Sequence, residues 1–569
     1  MNILRANEQN TYDAIVVGSG ISGGWAAKEL TEKGLKTLVL ERGRKFEHVT
    51  DYENALKKPW ELTHRGRITN EERASHPFLS RDYPYGEANK TYWFNDSDAP
   101  YSELKRFDWY RPNIVGGKSI MWGRQSYRLS DLDFEANLKE GIGTDWPVRY
   151  AEIAPWYSYV EKFVGVSGSK DGLPQLPDGE FLPPMQMNCA EQAVKKGIEG
   201  KFPNRVMTIG RVANLTQAGP AQQKVGRGPC QYRNLCSLGC PYGGYFSSPS
   251  ATIPAAMATK RLTIRPNSIA SEIIYDSAAK KAKGVRIVDS ETNEVMEFFA
   301  KVIFVCGGAI GTTALLLNST SDRFPNGFGN DSGQLGHNLM DHHFRTGASG
   351  IVEGLDDKYY FGRRANGIYI PRYRNVGNDK RDYVRGFGYQ GGGSRQGWNG
   401  LVAEMGFGAE LKEKATKPGP WSMNLGGFGE TLPAYENRMF LDKDKKDKWG
   451  LPTVVFDADL RENEKKMRKD MMNDAAEMLE AAGVKNVRTF DNGSYLGMAI
   501  HEMGTARMGR DPKTSVLNGN NQVWDAKNVF VTDGAFMASA GCQNPSLTYM
   551  AFTARAVDFA VKELKKKNL

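Results

Sequence analysis

The hydrophobic pattern begins with Tyr12-Asp-Ala-Ile-Val-Val, an apolar run that stops at Gly18, passes two further glycines and continues as an alanine-rich segment. A short apolar run bounded by glycine reads as a buried strand, and the segment after it as a helix. Thr37-Leu-Val-Leu repeats the strand pattern, and residues 302–306 form another that again ends in paired glycines. Strands alternating with helices predict a parallel, doubly wound sheet, the α/β class. Between about 345 and 495 the texture changes to aromatic, alternating segments such as 368–373, a glycine loop at 391–393 and a charged amphipathic helix over about 461–482. This stretch predicts a second domain with an antiparallel sheet, inserted into the first, so that the whole is α+β. The remaining residues return to strand-turn-helix texture, with a strand at 529–532 and a closing helix at 546–562. The first domain is therefore discontinuous, 1–344 completed by 496–569. Excursions at about 50–105 and 150–190 are expected on the substrate side, and a cysteine loop at 228–244.

Length and charge narrow the picture only a little. A chain of 569 residues, 40% of them hydrophobic, can bury the cores of two or more domains. Its longest apolar stretches fall far short of the roughly 20 residues that cross a bilayer, so no membrane span is expected. The first ten residues lack the apolar core of an export signal, which points to the cytoplasm. The net charge of +9 gathers at 443–448, where Asp and Lys alternate, and at 565–567. A solvated face and a helix end account for both clusters, and no nucleic-acid partner is expected.

The first glycine turn carries candidate chemistry. Gly18, Gly20 and Gly23 form GxGxxG between strand and helix: the first permits a tight turn, the second lets a pyrophosphate approach the backbone, and the third lets helix and strand pack closely. The second strand ends in Glu41, where a carboxylate can accept from both hydroxyls of a ribose. Glu41 also argues against a 2′-phosphate. The motif does not separate FAD from NAD, although Glu41-Arg42-Gly43 leans towards flavin.

Half of the six cysteines crowd into one loop. Cys230, Cys236 and Cys240 are separated by five and then three residues and followed by Pro241. That clustering suits a metal site better than a disulfide framework, and soft thiolates select zinc or an iron–sulfur cluster. Structural zinc wants four ligands, and no fourth Cys or His lies close by. Zinc, a cluster and free or bridged cysteines all remain open on spacing alone. Cys189, Cys306 and Cys542 read as small buried hydrophobes.

Taken together, the glycine turn and several distant segments resemble the glucose-methanol-choline (GMC) oxidoreductases. The segments are Arg111-Pro-Asn-Ile-Val-Gly116-Gly117-Lys-Ser-Ile-Met121-Trp122-Gly123, Gly336-His-Asn338-Leu339-Met-Asp341-His342, and His501-Glu-Met-Gly504-Thr505-Ala-Arg507-Met508-Gly509. Val529-Phe-Val-Thr-Asp533-Gly534-Ala and Gly541-Cys-Gln-Asn544-Pro545-Ser-Leu-Thr complete the set, and the resemblance spans residues 12 to about 558. It implies a Rossmann-like FAD-binding domain with an inserted antiparallel substrate domain. It further implies FAD contacts from Gly18, Ser19, Gly20, Ser22, Gly23, Glu41, Arg42, Gly116, Gly117, Ser119, Trp122, Gly123, Ile269, Asp533, Gly534, Asn544, Pro545 and Thr548. His501 matches the family's active-site base, and Asn544 the second position of the catalytic pair.

The chemistry asks for such a pair, because a hydride leaving an alcohol carbon for flavin N5 must be matched by loss of the hydroxyl proton to a base near working pH. His337, His342 and His343 read as packing or loop hydrogen-bonders; His48, His64 and His76 read as surface or loop residues. Arg507 and Asp533 read as structural or flavin-facing. Met121 stands where pyranose oxidases of the family carry a flavin-linking histidine, so the FAD is expected to be non-covalent.

The cysteine spacing resembles that of catalytic subunits of bacterial FAD-linked sugar dehydrogenases, which implies a 3Fe–4S cluster on Cys230, Cys236 and Cys240 and a dehydrogenase rather than an oxidase. Among these the likeness is strongest to glucoside 3-dehydrogenases, which oxidise a ring hydroxyl of a glycoside to a ketone. Such subunits associate with a small chaperone-like subunit and a cytochrome c, and co-export with a signal-bearing small subunit would place the chain in the periplasm. A gluconate or glucose dehydrogenase-type subunit, and a flavin/Fe–S electron-transfer subunit without a substrate site, are the alternatives. Tyr359, Tyr360, Trp398 and Trp421 are candidates for stacking on a sugar, with core packing the commoner fate of such residues.

Overall fold

The computed structural model describes residues 9–359, 362, 365–395, 397 and 407–569. The first strand, Thr11–Val17, lies between Thr37–Leu40 and Val295–Val305 and is parallel to both. Leu262–Arg265 extends the sheet beyond Thr37–Leu40, and Ala526–Val531 extends it beyond Val295–Val305, again in parallel. An antiparallel excursion through Ser268–Asp276 and Lys281–Asp289, and the short edge strand Gln522–Val523 antiparallel to Ala526–Val531, complete eight strands. Ala14, Ile15, Val16 and Val17 are all buried, as strands covered on both faces require. Their alternation divides them between two cores. Ile15 and Val17 join the core that contains Trp146, Tyr157 and Leu547, whereas Ala14 and Val16 join Ala26, Leu30 and Val557. The helices Ile21–Glu32 and Ser546–Lys565 pack against each other there.

A six-stranded antiparallel sheet stands apart from the first, in the order Lys485–Asp491, His342–Val352, Trp421–Glu430, Phe387–Arg395, Ile368–Ile370, Thr208–Ile209. The helix Glu462–Ala481 covers it with Met467, Met471 and Met478 packed on Met423, Leu425 and Tyr389. The methionines fit because the sheet thins beneath them: a Cβ at Gly427 would lie 2.7 Å from Met471.

Three expectations need correction. The glycines at 391–393 form no loop; they lie inside the strand Phe387–Arg395. A Cβ at Gly391 would lie 2.0 Å from the Asn424 carbonyl oxygen, and one at Gly393 would lie 2.8 Å from Asn188 Oδ1, so glycine serves close approach here, not a turn. Second, within the excursion expected at 150–190, the helix Tyr150–Val164 buries Tyr157, Val160 and Val164 in the core of the parallel sheet, whereas Leu176 packs on Tyr369 of the second sheet. Third, the antiparallel layer is not confined to 345–495. It takes in Thr208–Ile209 and the helix Cys189–Lys201, and its strand His342–Val352 starts earlier than that boundary. The excursion at 50–105 contributes Tyr101–Glu103 to a small sheet with Arg438–Lys446 and Pro452–Asp457.

Candidate active site

One cavity of about 790 Å³ runs from the first glycine turn to the carboxyl-terminal segment, within the size range of small-molecule sites. Gly18, Ser19, Gly20, Ser22, Glu41, Arg42, Gly117, Ser119, Trp122, Gly123, Ile269, His501, Asp533, Gly534 and Asn544 all line it. Gly23, Gly116, Pro545 and Thr548 do not. Gly23 is buried where a Cβ would sit 1.9 Å from the Gly18 carbonyl oxygen, so it serves helix–strand packing alone. The Gly116 N–H donates to Ser19 Oγ, and Thr548 meets the Tyr157 hydroxyl at 2.7 Å inside the core. Pro545 begins the closing helix, whose wall residues are Ser546 and Tyr549. The helical period turns Thr548 to the opposite face.

The turn end of the cavity fits a dinucleotide. Gly20 caps the helix Ile21–Glu32 without a side-chain hydrogen bond, leaving N–H groups at the positive helix end, and a Cβ at Gly20 would meet nothing within 4 Å. Glu41 accepts from the Ser19 N–H at 2.9 Å, the Ser19 hydroxyl at 2.5 Å and the Gly43 N–H at 2.7 Å. A carboxylate has about four lone-pair directions, so one acceptor position remains for a ribose hydroxyl. Burial raises the Glu41 carboxyl despite these donors. The Arg42 guanidinium packs on the rings of Phe94 and Trp449, with only a long 3.6 Å ion pair to Asp447; its Nε and Nη2 have no hydrogen-bond partner among the described residues. Open backbone, a spare acceptor and orphaned donors at one end of a deep cavity fit FAD. Asp533, at the cavity wall, accepts from the Ala535 N–H and from the Thr312 hydroxyl, and burial pushes its carboxyl up to about 6. Arg507 lies elsewhere, bonded to Asn338 and to the Thr514 carbonyl.

At the other end stand His501 and Asn544. Ile500, a β-branched residue, has φ +65° in the left-handed region, and Asp341 holds both sides of it, accepting from the Ala499 N–H at 3.1 Å and the His501 N–H at 3.0 Å. Burial pushes the Asp341 carboxyl up to about 8. His501 Nδ1 lies 3.1 Å from His342 Nδ1. Burial, with His342 and Lys118 nearby, holds His501 well below the usual histidine range, so it is neutral. Lys118 pairs with Glu502 at 2.6 Å. Asn544 Oδ1 accepts from Gln390 Nε2 at 2.7 Å, and Gln390 in turn accepts from Gln125 at 3.4 Å. This chain leaves the Asn544 amide N–H groups for the cavity.

His342, Asp341, Gln390, Lys118 and Glu502 were not singled out from sequence as site residues. His342 and Asp341 lie within the quoted 336–342 segment, while Lys118 and Glu502 adjoin named residues; Gln390 had no local signal. His342 is a packing and hydrogen-bonding residue as expected, but its partner is the candidate base. His337 bonds the Tyr435 carbonyl, and His343 is buried. Of the four aromatics, Tyr359 is exposed and Trp421 is buried in the sheet; Tyr360 and Trp398 lie outside the described residues.

The cysteine loop packs against the glycine loop of the cavity, the turn Cys236–Leu238 touching Gly117–Ile120. Cys230, Cys236 and Cys240 are half-buried and in no disulfide. The Arg227 guanidinium is buried beside them, donating to the Gly243 and Val164 carbonyls with Nη2 unpaired among the described residues, and burial pulls it down to about 9. Three free thiols beside a buried guanidinium with a spare donor fit an anionic, sulfur-ligated group. Cys306 and Cys542 are buried as expected; Cys189, at the start of its helix, is only half-buried.

A parallel dinucleotide sheet joined through one cavity to an antiparallel sheet, with a histidine and an amide at the junction, defines an FAD-dependent oxidoreductase of the class acting on CH–OH groups. The family models for GMC oxidoreductases match residues 12–344 and 433–553, and the chain belongs to that family. It is 26% identical to the fructose dehydrogenase large subunit of Gluconobacter japonicus over 99% of this chain and 100% of that protein. It is 28% identical to a 2-methyl-1,2-propanediol dehydrogenase of Mycolicibacterium austroafricanum, over 96% and 94%. The crystal structure of pyridoxine 4-oxidase from Mesorbium loti shares the fold, with a TM-score of 0.61 at 15% identity over 96% of this chain and 98% of that one.

Proposed function

We propose that the chain is the catalytic subunit of a dehydrogenase that oxidises a secondary hydroxyl of a sugar or glycoside, with glucoside C3 the first candidate, to a ketone. The observation that carries this reading is the presence of His501 and Asn544 on the wall of the same cavity that Gly18 and Gly20 open. Neutral His501 takes the hydroxyl proton, and the Asn544 amide donates to the same oxygen, positioning it without adding a titrating group. FAD, when bound, supplies the hydride acceptor. Glu41, Arg42 and the amino-terminal turn would hold its adenosine and pyrophosphate, and Met121 on the wall offers no ring nitrogen for a covalent flavin link.

Cys230, Cys236 and Cys240 would hold a 3Fe–4S cluster, which supplies a one-electron exit and so favours a carrier over dioxygen as acceptor. The relative named as a large subunit supports a multi-subunit enzyme, here with a small chaperone-like subunit and a cytochrome c. Among the described residues no helix is long and apolar enough to cross a membrane.

The test is anaerobic mixing of the flavin-loaded protein with a panel of glycosides and aldonates, followed by flavin absorbance and product analysis. A glycoside should bleach the flavin and yield the 3-keto product. His501→Ala should retain FAD and lose ~10²–10⁴ in turnover, about 3–5 kcal/mol of barrier. Flavin that stays oxidised with every sugar would refute the reading.

A further inference from the structure

The two histidines that meet in the active site determine each other's protons. Two imidazole nitrogens 3.1 Å apart, here Nδ1 of His501 and Nδ1 of His342, form a hydrogen bond when one carries hydrogen and the other does not. The far nitrogen of His342, Nε2, lies 2.8 Å from the Gly541 carbonyl oxygen. A carbonyl oxygen only accepts, so His342 Nε2 carries the hydrogen and donates it. His342 is fully buried, and burial pushes its pKa down to about 3, so it holds a single proton. Its Nδ1 is then the acceptor, and His501 must donate from Nδ1. The Nε2 of His501 is left as a bare lone pair.

We infer that His342 is a positioning residue that selects the tautomer of His501, presenting Nε2 to the substrate hydroxyl. The inference rests on the reading of His501 as the base. In the step it serves, the substrate O–H bond breaks and an Nε2–H bond forms, while the hydride leaves the same carbon for FAD. His501 then carries both ring hydrogens, and its Nδ1–H bond to neutral His342 becomes charge-assisted without a second proton transfer. The carbonyl that orients His342 belongs to Gly541, three residues before Asn544. Gly541 has φ +64°, and a Cβ there would lie 2.7 Å from Leu129, so glycine lets that carbonyl face the ring. The segment that brings Asn544 to the cavity thus also anchors the tautomer of its partner.

Long-range ¹H–¹⁵N spectra of the FAD-loaded protein labelled at histidine test this directly, with His501 assigned by the signals lost in His501→Gln. The expected state is a protonated Nδ1 and a bare Nε2. His342→Phe keeps the ring volume and removes the acceptor; it should shift His501 towards the Nε2–H form and lower kcat ~10²-fold at parental FAD content, with KM little changed. His342→Asn places an amide oxygen near the former Nδ1 and should restore kcat to within ~5-fold of the parent, an outcome that packing alone does not predict. An Nε2–H tautomer in the parent, or an unchanged tautomer and kcat in His342→Phe, overturns the inference. Parental turnover in His501→Gln would instead remove His501 as the base, whatever its tautomer.

Discussion

His342 shows how much one buried side chain can decide. An imidazole in water titrates near 6.5, and here burial pushes it down to about 3, so the folded chain binds fewer protons than the unfolded chain between those values. The stability this group contributes is complete above pH ~6.5 and is lost as the pH falls through the window. Asp341, pushed up to about 8, acts with the opposite sign, losing its contribution as pH rises from about 4 to 8, so the parent's overall profile mixes the two. A difference measurement separates them. The stability of the parent relative to His342→Phe should shrink by up to ~1.4 kcal/mol for each pH unit below ~6.5, read from denaturant unfolding at several pH values. A difference that does not vary with pH would mean that His342 titrates normally. Sequence alone left this residue as packing because its two partners, His501 and Gly541, stand 159 and 199 residues away.

At the scale of elements, position follows from what an element is packed against. The helix over 462–481 was legible because its apolar period matches a helix with one covered face. The glycines at 391–393 were not, because their reason is the nearness of Asn424 and Asn188, which no local pattern carries. The turn that delivers His501 is similar: Ile500 pays for a left-handed backbone, and Asp341 from the start of another sheet holds it. In Asp341→Asn one oxygen still accepts, but the amide group faces the second N–H. We expect FAD to be retained and the single-turnover rate of flavin reduction to fall by ~10-fold or more, since small misplacements of a base are costly. A rate equal to the parent's would show that the turn holds itself.

For the whole molecule, the cavity is the joint between two sheets, lined by Gly18 and Glu41 from one and by Gln390 and Phe428 from the other. A ligand that fills it binds the folded state alone, so stripping FAD should lower Tm. Titrating it back should raise stability with the logarithm of free FAD, about 2.7 kcal/mol at a hundredfold excess over Kd. Scanning calorimetry at several FAD concentrations checks this, and a Tm indifferent to FAD would show that the folded chain does not bind it. The helix over 150–164 goes to the parallel sheet and not to the substrate side, because Tyr157 and Val164 are apolar residues that suit either core, and only packing chooses between them.

The order of residues by itself determined the dinucleotide turn, the acid at Glu41, the parallel sheet and the His501 and Asn544 segments, because each depends on backbone freedom or side-chain chemistry within a few neighbouring positions. Tertiary structure alone decided which of the named glycines face the cavity, which strands from before residue 345 complete the second sheet, and that His342, Asp341 and Gln390 stand behind His501 and Asn544. The last of these outcomes depends on contacts between groups more than 150 residues apart, and a short-range pattern holds no record of them.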